Sequence, residues 1–501
     1  MEIKKRAQTK NRLLSLCLIL VLLLGMFPIS VTALDGAPQE RVILYENIAL
    51  RGEYEKHYLM SDGTSVALAF DHPVHYLLEG RWLDLDNRLI LHNGGYENGQ
   101  AENQVRLGGN TQAPVLLSYT YEAYTLSFSL LNTVRCVAAR TQMADGPVDM
   151  QGKNLDDMGS FGYTQSVLYY PNILPGMDLE YVLSGNEVKE NIYLAHADAW
   201  QPLSFALDCG GLIPILEEDR SIALCDTAGN AVLHMIAPYM FDAAGDISTQ
   251  VRYLLSREDG AYILTLDADE EWLQSADRTY PVVVDPTLTV SGTANVTDTM
   301  VREGKPDQAY NSMKYAVVGY ESTSSNRRNR MLIQMKTLPT IPTGNSVMSA
   351  SLTVRQLSAA NGSYSWSNSS VASMDLSARR ITSSWVAAAT WNTQPTFNDT
   401  ILDTQTFTAA TEYQTASFNI TSAVQSWYTG SPNYGIMISR PDDSVSGGTS
   451  IYTSFYTSEH ATEANKPVFS ITYASYTGDE SEPNDTSATA DVFPFTYVGT
   501  A

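Results

Sequence analysis

The chain has 501 residues, with 55 Asp and Glu against 31 Lys and Arg and a formal net charge of −24. At ~100–200 residues per domain this length suggests about two to four domains, and 44% hydrophobic residues supply material for large cores. An acidic excess of this size repels phosphate backbones and anionic membrane surfaces, which argues against nucleic acid as a partner. The 29 Tyr, with Ser and Thr crowding the second half, favour strands over helices.

In chain order, the first feature is a basic stretch with Lys4, Lys5, Arg6, Lys10 and Arg12, followed by an apolar run from Leu13 to Phe27 and the small-residue exit Ser30-Val31-Thr32-Ala33. These are the parts of a secretory signal peptide with cleavage expected after Ala33. The apolar run is short for a membrane span of ~20 residues. The expectation is a secreted, extracellular protein of the cell surface or wall, with no membrane span after cleavage. Without residues 1–33 the chain carries 26 basic and 54 acidic residues. Cys136, Cys209 and Cys225 remain, with no CxxC, so a zinc or redox site is not expected. Buried unpaired thiols are the simpler reading, with a Cys209–Cys225 bridge left open.

Residues 34–286 read as short strands broken by turn residues, for example Val66 to Phe70, Thr125 to Leu130, Leu203 to Leu207 and Tyr262 to Leu266, with breaks at Asn93-Gly94-Gly95 and Gly210-Gly211. Alternating apolar runs at this spacing predict antiparallel sheets folded as a sandwich. A second block, 287–475, continues with Tyr315 to Gly319, Met331 to Met335, Ser351 to Arg355, Gly435 to Ile438 and Val468 to Tyr473. One helix is predicted over Ser422 to Tyr428, where Val424, Trp427 and Tyr428 share a face and Gly430 ends it. The boundary between the blocks is expected at Asp285-Pro286. Residues 476–501 open with the acidic Gly478 to Asp485 segment and read as a linker into a third domain inside which the chain ends. The fold class expected is all-β: two β-sandwich, jelly-roll-like domains and a truncated third β domain.

The second block resembles the DNRLRE-type domain, a carbohydrate-binding-module-like jelly roll of bacterial surface proteins. The matching pieces are Asp298 to Val301, Asn326 to Ile333, Ser349 to Val354, Trp385 with Thr390-Trp391-Asn392-Thr393-Gln394-Pro395, Ile420 to Trp427, Asn433-Tyr434-Gly435, Tyr456 to Glu459 and Pro467. Asn326 to Arg330 departs from the name-giving motif. The first block resembles the N-terminal region of secreted, wall-associated and RHS-repeat proteins of Gram-positive bacteria, through Trp82 to Leu89, Tyr170 to Tyr181, Ala237 to Asp242 and Arg278 to Pro286. Glu482 to Asp491 resembles the start of a pre-peptidase C-terminal-type domain. None of the three resemblances implies a catalytic domain.

The sequence shows no G-x-S-x-G elbow, no H-E-x-x-H, no P-loop and no G-x-G-x-x-G. His72 and His75, separated by Pro73, read as surface histidines in a loop. The acids of Glu217-Glu218-Asp219 read as a solvated hairpin tip and those of Asp267 to Glu271 as a solvated turn. Asp84/Asp86 and Asp267/Asp269 have the D-x-D spacing of calcium loops without the Gly and closing Glu of an EF-hand. The expectation is therefore no catalytic residues and no cofactor, with a structural calcium left open and any metal ligands unassigned.

Sugar binding asks for exposed aromatic faces and polar partners. Trp385, Trp391 and Trp427 read as core. Tyr364 and Trp366, in a polar loop, are candidate stacking residues, and Arg327, Arg328 and Arg330 are candidate contacts for carboxylates of an acidic polysaccharide. Salt bridges are the alternative use of those arginines. The function expected is a non-catalytic surface protein whose second domain binds a polysaccharide or cell-wall glycan. The alternatives are a structural spacer or adhesin, or the accessory N-terminal part of a larger RHS-type, hydrolase or lyase protein with its catalytic domain beyond Ala501.

Overall fold

The computed structural model describes residues 41–131, 133–143, 150–154, 162–243, 246–258, 260–290, 295–322, 326–357, 373–408, 414–442, 450–460 and 465–475. The expected signal peptide and the 476–501 segment lie outside them.

Alternation of apolar and polar residues builds the first sandwich. In Leu203–Asp208, Leu203, Phe205 and Leu207 are buried while Ser204, Ala206 and Asp208 turn outward, as the two-residue period of a strand requires. One sheet orders Val251–Glu258, Ala261–Ala268, Leu203–Asp208, Tyr124–Leu130, Leu117–Tyr121, Asn103–Gly108, Gly95–Glu97 and Ile90–His92. The other orders Ala139–Met143, Gln165–Leu174, Met177–Ser184, Glu187–Leu194, Val282–Val290, Ala231–Phe241, Ile222–Cys225 and Ile213–Leu216, with Ile247–Ser248 added to Ala231–Phe241. Their inner faces share one core, in which the Tyr170 and Tyr181 rings meet edge to face at 6.1 Å. The buried tyrosines bring hydroxyls that need partners. Tyr119 donates to the Asn186 carbonyl and Tyr170 to the Gly108 carbonyl, each at 2.6 Å. Cys136, Cys209 and Cys225 are buried free thiols.

The second sandwich packs a seven-stranded sheet on a six-stranded one. The first orders Phe397–Thr408, Ser373–Ile381, Ile436–Ser439, Asn326–Met335, Tyr315–Ser322 and Ile451–Tyr456, with Val296–Arg302 also paired to Asn326–Met335. The predicted helix is present as Thr421–Tyr428 and turns Ala423, Val424 and Trp427 into the core. Gly430, at φ 100°, supplies the left-handed residue that closes it.

The six-stranded sheet has an unexpected composition. It orders Ile43–Glu46, Glu55–Met60, Ser65–Ala69, Val468–Ser475, Asn345–Arg355 and Thr415–Asn419. Three strands from the start of the chain thus join this sheet, and one of them, Ser65–Ala69, pairs with Val468–Ser475 from its end. Ala67 stands opposite Ile471, and both face the core of the second sandwich. The Asp285-Pro286 step falls inside the buried strand Val282–Val290. Its missing N–H is accommodated because Pro286 has no register partner in Ala231–Phe241, where Asp285 pairs with Tyr239 and Thr287 with Ile236 across a bulge.

Candidate functional site

The Trp385-to-Pro395 segment folds over the outer face of the seven-stranded sheet. Val301, Leu332 and Met437 point outward from their strands and form a small apolar cluster with Ile381 and Ala389, covered by Trp385, Trp391, Phe397 and Tyr434. Trp385 Nε1 donates to the Tyr434 carbonyl at 2.8 Å. Thr390 N–H donates to Thr393 Oγ1 at 2.9 Å and closes the short turn that carries Trp391. Trp427 lies in the main core, whereas Trp385 and Trp391 are partly buried members of this second cluster.

Two of the three candidate arginines converge here. The guanidinium groups of Arg328 and Arg330 lie 5.0 and 4.7 Å from the centroid of Trp391, within reach of a cation–π attraction. Arg328 makes a two-pronged contact with Glu303 at 2.7 and 3.1 Å, and Arg330 donates to Gln394 Oε1 at 2.7 Å. Burial raises the Glu303 pKa, but the hydrogen bonds and charge of Arg328, with the charge of Arg330, outweigh it and hold the group below the usual range. Arg327 lies across Gly304, where a methyl group would overlap its Cδ. Arg330 is buried, while Arg327 and Arg328 are half-buried. Tyr364 and Trp366 lie outside the described residues.

On the opposite edge of the same sheet is a pocket of about 200 Å³ lined by Phe241, Met313, Lys314, Tyr315, Tyr456 and His460. Tyr315 and Tyr456 are direct partners across two antiparallel strands, so their side chains share a face. The His460 ring meets Tyr456 at 4.3 Å. Lys314 Nζ lies 3.3 Å from Asn191 Oδ1, 3.7 Å from Asp285 Oδ2 and 4.9 Å from the Phe241 centroid. Burial lowers the Lys314 pKa, opposed in part by Asp285. Sequence reasoning missed this pocket because its walls come from strands far apart in the chain, and no local spacing announces it.

A larger cleft, about 500 Å³, is lined in part by Tyr45, Glu46, Lys56, Asp84, Asp86 and Tyr163. Glu46, His75 and Asp84 present ligand atoms within 4.8 Å of one another. Both carboxylates already have internal cations. Lys56 Nζ is 2.5 Å from Asp84, and Arg51 bridges Glu46 and Asp84 at 2.7 and 2.8 Å. Burial raises the Glu46 pKa, but His75, Arg51 and Lys56 together bring it down to about 2. The other D-x-D acids are also engaged. Asp86 is bound by Arg88, Asp267 by Arg252, and Asp269 caps the helix Glu270–Gln274.

The histidines correct a sequence expectation. His72 and His75 are buried rather than surface-exposed. His72 Nδ1 is 2.6 Å from Asp71, which also takes the Lys466 ammonium at 2.7 Å. His75 Nδ1 donates to the Gly52 carbonyl at 2.7 Å. They sit in different clusters, because residues three apart in extended chain face opposite ways.

Comparison with known proteins gives these sites a context. Residues 289–473 match carbohydrate-binding module family 96. The chain carries a carbohydrate-binding-module-like domain. The Trp385 cluster, the three arginines and most of the 200 Å³ pocket lie within the matched family 96 region; Phe241 and the strands between Ile43 and Ala69 lie outside it. Over 348 residues the chain is 26% identical to the tRNA(Glu)-specific nuclease WapA of Bacillus subtilis subsp. natto, covering 64% of this chain and 13% of that protein. It is 26% identical over 360 residues to the tRNA nuclease WapA of Bacillus subtilis strain 168, covering 66% and 14%. The chain therefore spans about one seventh of the length of these curated relatives. A solved structure, the N-terminal domain of the Streptococcus gordonii adhesin Sgo0707, aligns over 88% of this chain at 6% identity with a TM-score of 0.09, too low to define a shared fold.

Proposed function

We propose that this protein is secreted, stays at the cell surface or wall, and binds a polysaccharide there through its family 96 domain without cleaving it. The observation that carries the reading is the match of 289–473 to a carbohydrate-binding family on a β-sandwich whose strands, helix and Trp391 turn are all in place. The basic and apolar segments before Ala33 support secretion. Arg328, half-buried beside Trp391, and Arg327, half-buried on the same strand, supply donors for sugar carboxylates, with Tyr364 and Trp366 as stacking partners. The nuclease activity in the names of the WapA relatives is assigned here to the six-sevenths of their length that this chain does not span.

The test is retention of the full chain on insoluble wall preparations and in gels containing neutral or uronic polysaccharides. Retention by at least one polymer, with no reducing ends released, is the expected result. A folded chain that no polysaccharide retains would sink the reading. That outcome would favour a structural spacer, the use to which the Arg328–Glu303 and Arg330–Gln394 contacts already put two of the arginines.

A further inference from the structure

We propose that the pocket between Phe241 and the Tyr315–Tyr456 pair is a subsite for one uncharged sugar ring; this rests on the polysaccharide-binding reading above. A pyranose has an apolar C–H face and a rim of hydroxyls, so its site needs an aromatic wall and a few polar atoms in a small space. The pocket offers both. Phe241, Tyr315, Tyr456 and His460 supply the rings, and Lys314 supplies a cationic donor.

The size selects a single ring. At about 200 Å³ the space falls below the ~300–1,000 Å³ of pockets that enclose drug-sized ligands. The terminal strand Ile451–Tyr456 places the pocket at the sheet edge, where a polymer can run past and insert one residue. The polar inventory selects hydroxyls. An ammonium carries three donors. Among the described residues Lys314 Nζ makes one hydrogen bond, 3.3 Å to Asn191, beside a looser 3.7 Å approach to Asp285. Donor capacity is left over in a half-buried place, where an unmade hydrogen bond is costly.

Charge selects against an acidic sugar. Asp285 lies 3.7 Å from Lys314, and Glu180 and Glu459 act on it as further negative charges, with Lys189 as the second cation. A uronate entering here meets three negative groups against two positive ones, on a chain of net charge −24. The pocket and the Arg328 face therefore differ in ligand class.

Methyl-labelled methionine NMR on the full chain tests this without disturbing the pocket, because Met313 forms part of its wall. Methyl glycosides of neutral hexoses and N-acetylhexosamines are the probes, with the matching uronates as controls. A saturable shift of the Met313 resonance with at least one neutral glycoside and none with the uronates is expected, with affinity falling tenfold or more in Tyr315→Ala and in Lys314→Met. A Met313 signal that no glycoside moves, or that uronates move more, overturns the proposal. If retention on neutral polysaccharides survives unchanged in both variants, the pocket assignment fails while polysaccharide binding stands; if wild-type chain neither binds polymer nor shifts Met313, both fail.

Discussion

His57 Nδ1 stands 2.8 Å from the hydroxyl of Tyr473, although 416 positions separate the two residues. Their rings meet edge to face at 5.8 Å. His57 lies on the strand Glu55–Met60 and Tyr473 on Val468–Ser475, with Ser65–Ala69 hydrogen-bonded between them. The contact ties the start of the chain to the end of the region that matches family 96.

The first prediction concerns that junction. Ala67→Asp in the full chain puts an unpaired carboxylate against Ile471 at a position with 0% exposure. Denaturant unfolding is expected to show a loss of about 3 kcal/mol or more. His57→Phe, which leaves the buried Tyr473 hydroxyl without this partner, is expected to cost about 1–3 kcal/mol. A stability within 0.5 kcal/mol of wild type for Ala67→Asp, about the spread of a neutral surface change, would show that the early strands do not belong to this sheet.

The second concerns the Asp71–Lys466 pair, 2.7 Å apart and buried. Lys466→Met strands a buried carboxylate held by His72 alone, and the expected cost is about 3–5 kcal/mol. Asp71→Asn combined with Lys466→Met is expected to lose less than the sum of the single changes, because neither partner is left charged. Strictly additive losses in a double-mutant cycle would contradict the pairing.

The third concerns pH. Burial raises Asp298, flanked by Glu459 and Asp71, to about 7 against the hydrogen bond it accepts from Ser458 N–H, and burial likewise raises Glu190 to about 7. A carboxyl raised in the folded state favours folding fully below its unfolded pKa, and that contribution fades as pH rises through the folded value. Stability is therefore expected to fall between about pH 4 and 7 from these two groups. Asp298→Asn, which keeps the acceptor for Ser458, should flatten that slope. Glu46, lowered to about 2, acts in the opposite sense. Its stabilisation is present above its unfolded value and is lost as pH falls toward 2. Melting temperatures of wild type and Asp298→Asn across pH 4–8 check this; parallel curves would rule out a role for Asp298.

The fourth separates packing from binding at the Trp391 face. Trp391→Ala uncovers Leu332 and Met437 and should cost about 2–4 kcal/mol. Arg328→Met removes an ion pair whose two side chains are 33% and 22% exposed and should cost about 1 kcal/mol or less. If Arg328→Met also abolishes retention on acidic polysaccharide while the melting temperature barely moves, the arginine is a contact residue; unchanged retention would remove it from the binding surface.

Much of the fold was legible beforehand, for a local reason. Leu203 to Leu207 and Val468 to Tyr473 carry their own alternation, and the helix Thr421–Tyr428 carries its apolar face and its closing Gly430, so each declares its type without reference to the rest of the chain. The candidate sites were less legible. Arg328 and Arg330 were visible as a charged run, but not their position over Trp391, sixty residues on. His72 and His75 read as exposed because the sequence does not show Asp71, Lys466, Glu46 and Asp84 closing around them. The pocket of Phe241, Tyr315 and Tyr456 had no local signal at all.

The sequence by itself determined that this is a chain of short antiparallel strands with a DNRLRE-type motif set around Trp391, because strand period and motif spacing are properties of neighbouring residues. Only the tertiary structure decided which strands pair, that Pro286 sits inside the strand Val282–Val290, and that residues 43–69 complete a sheet whose other strands lie more than two hundred residues later. Backbone hydrogen bonds are alike for every strand, so the choice of partner is made by which apolar faces fill a core together, and that is a property of the whole chain.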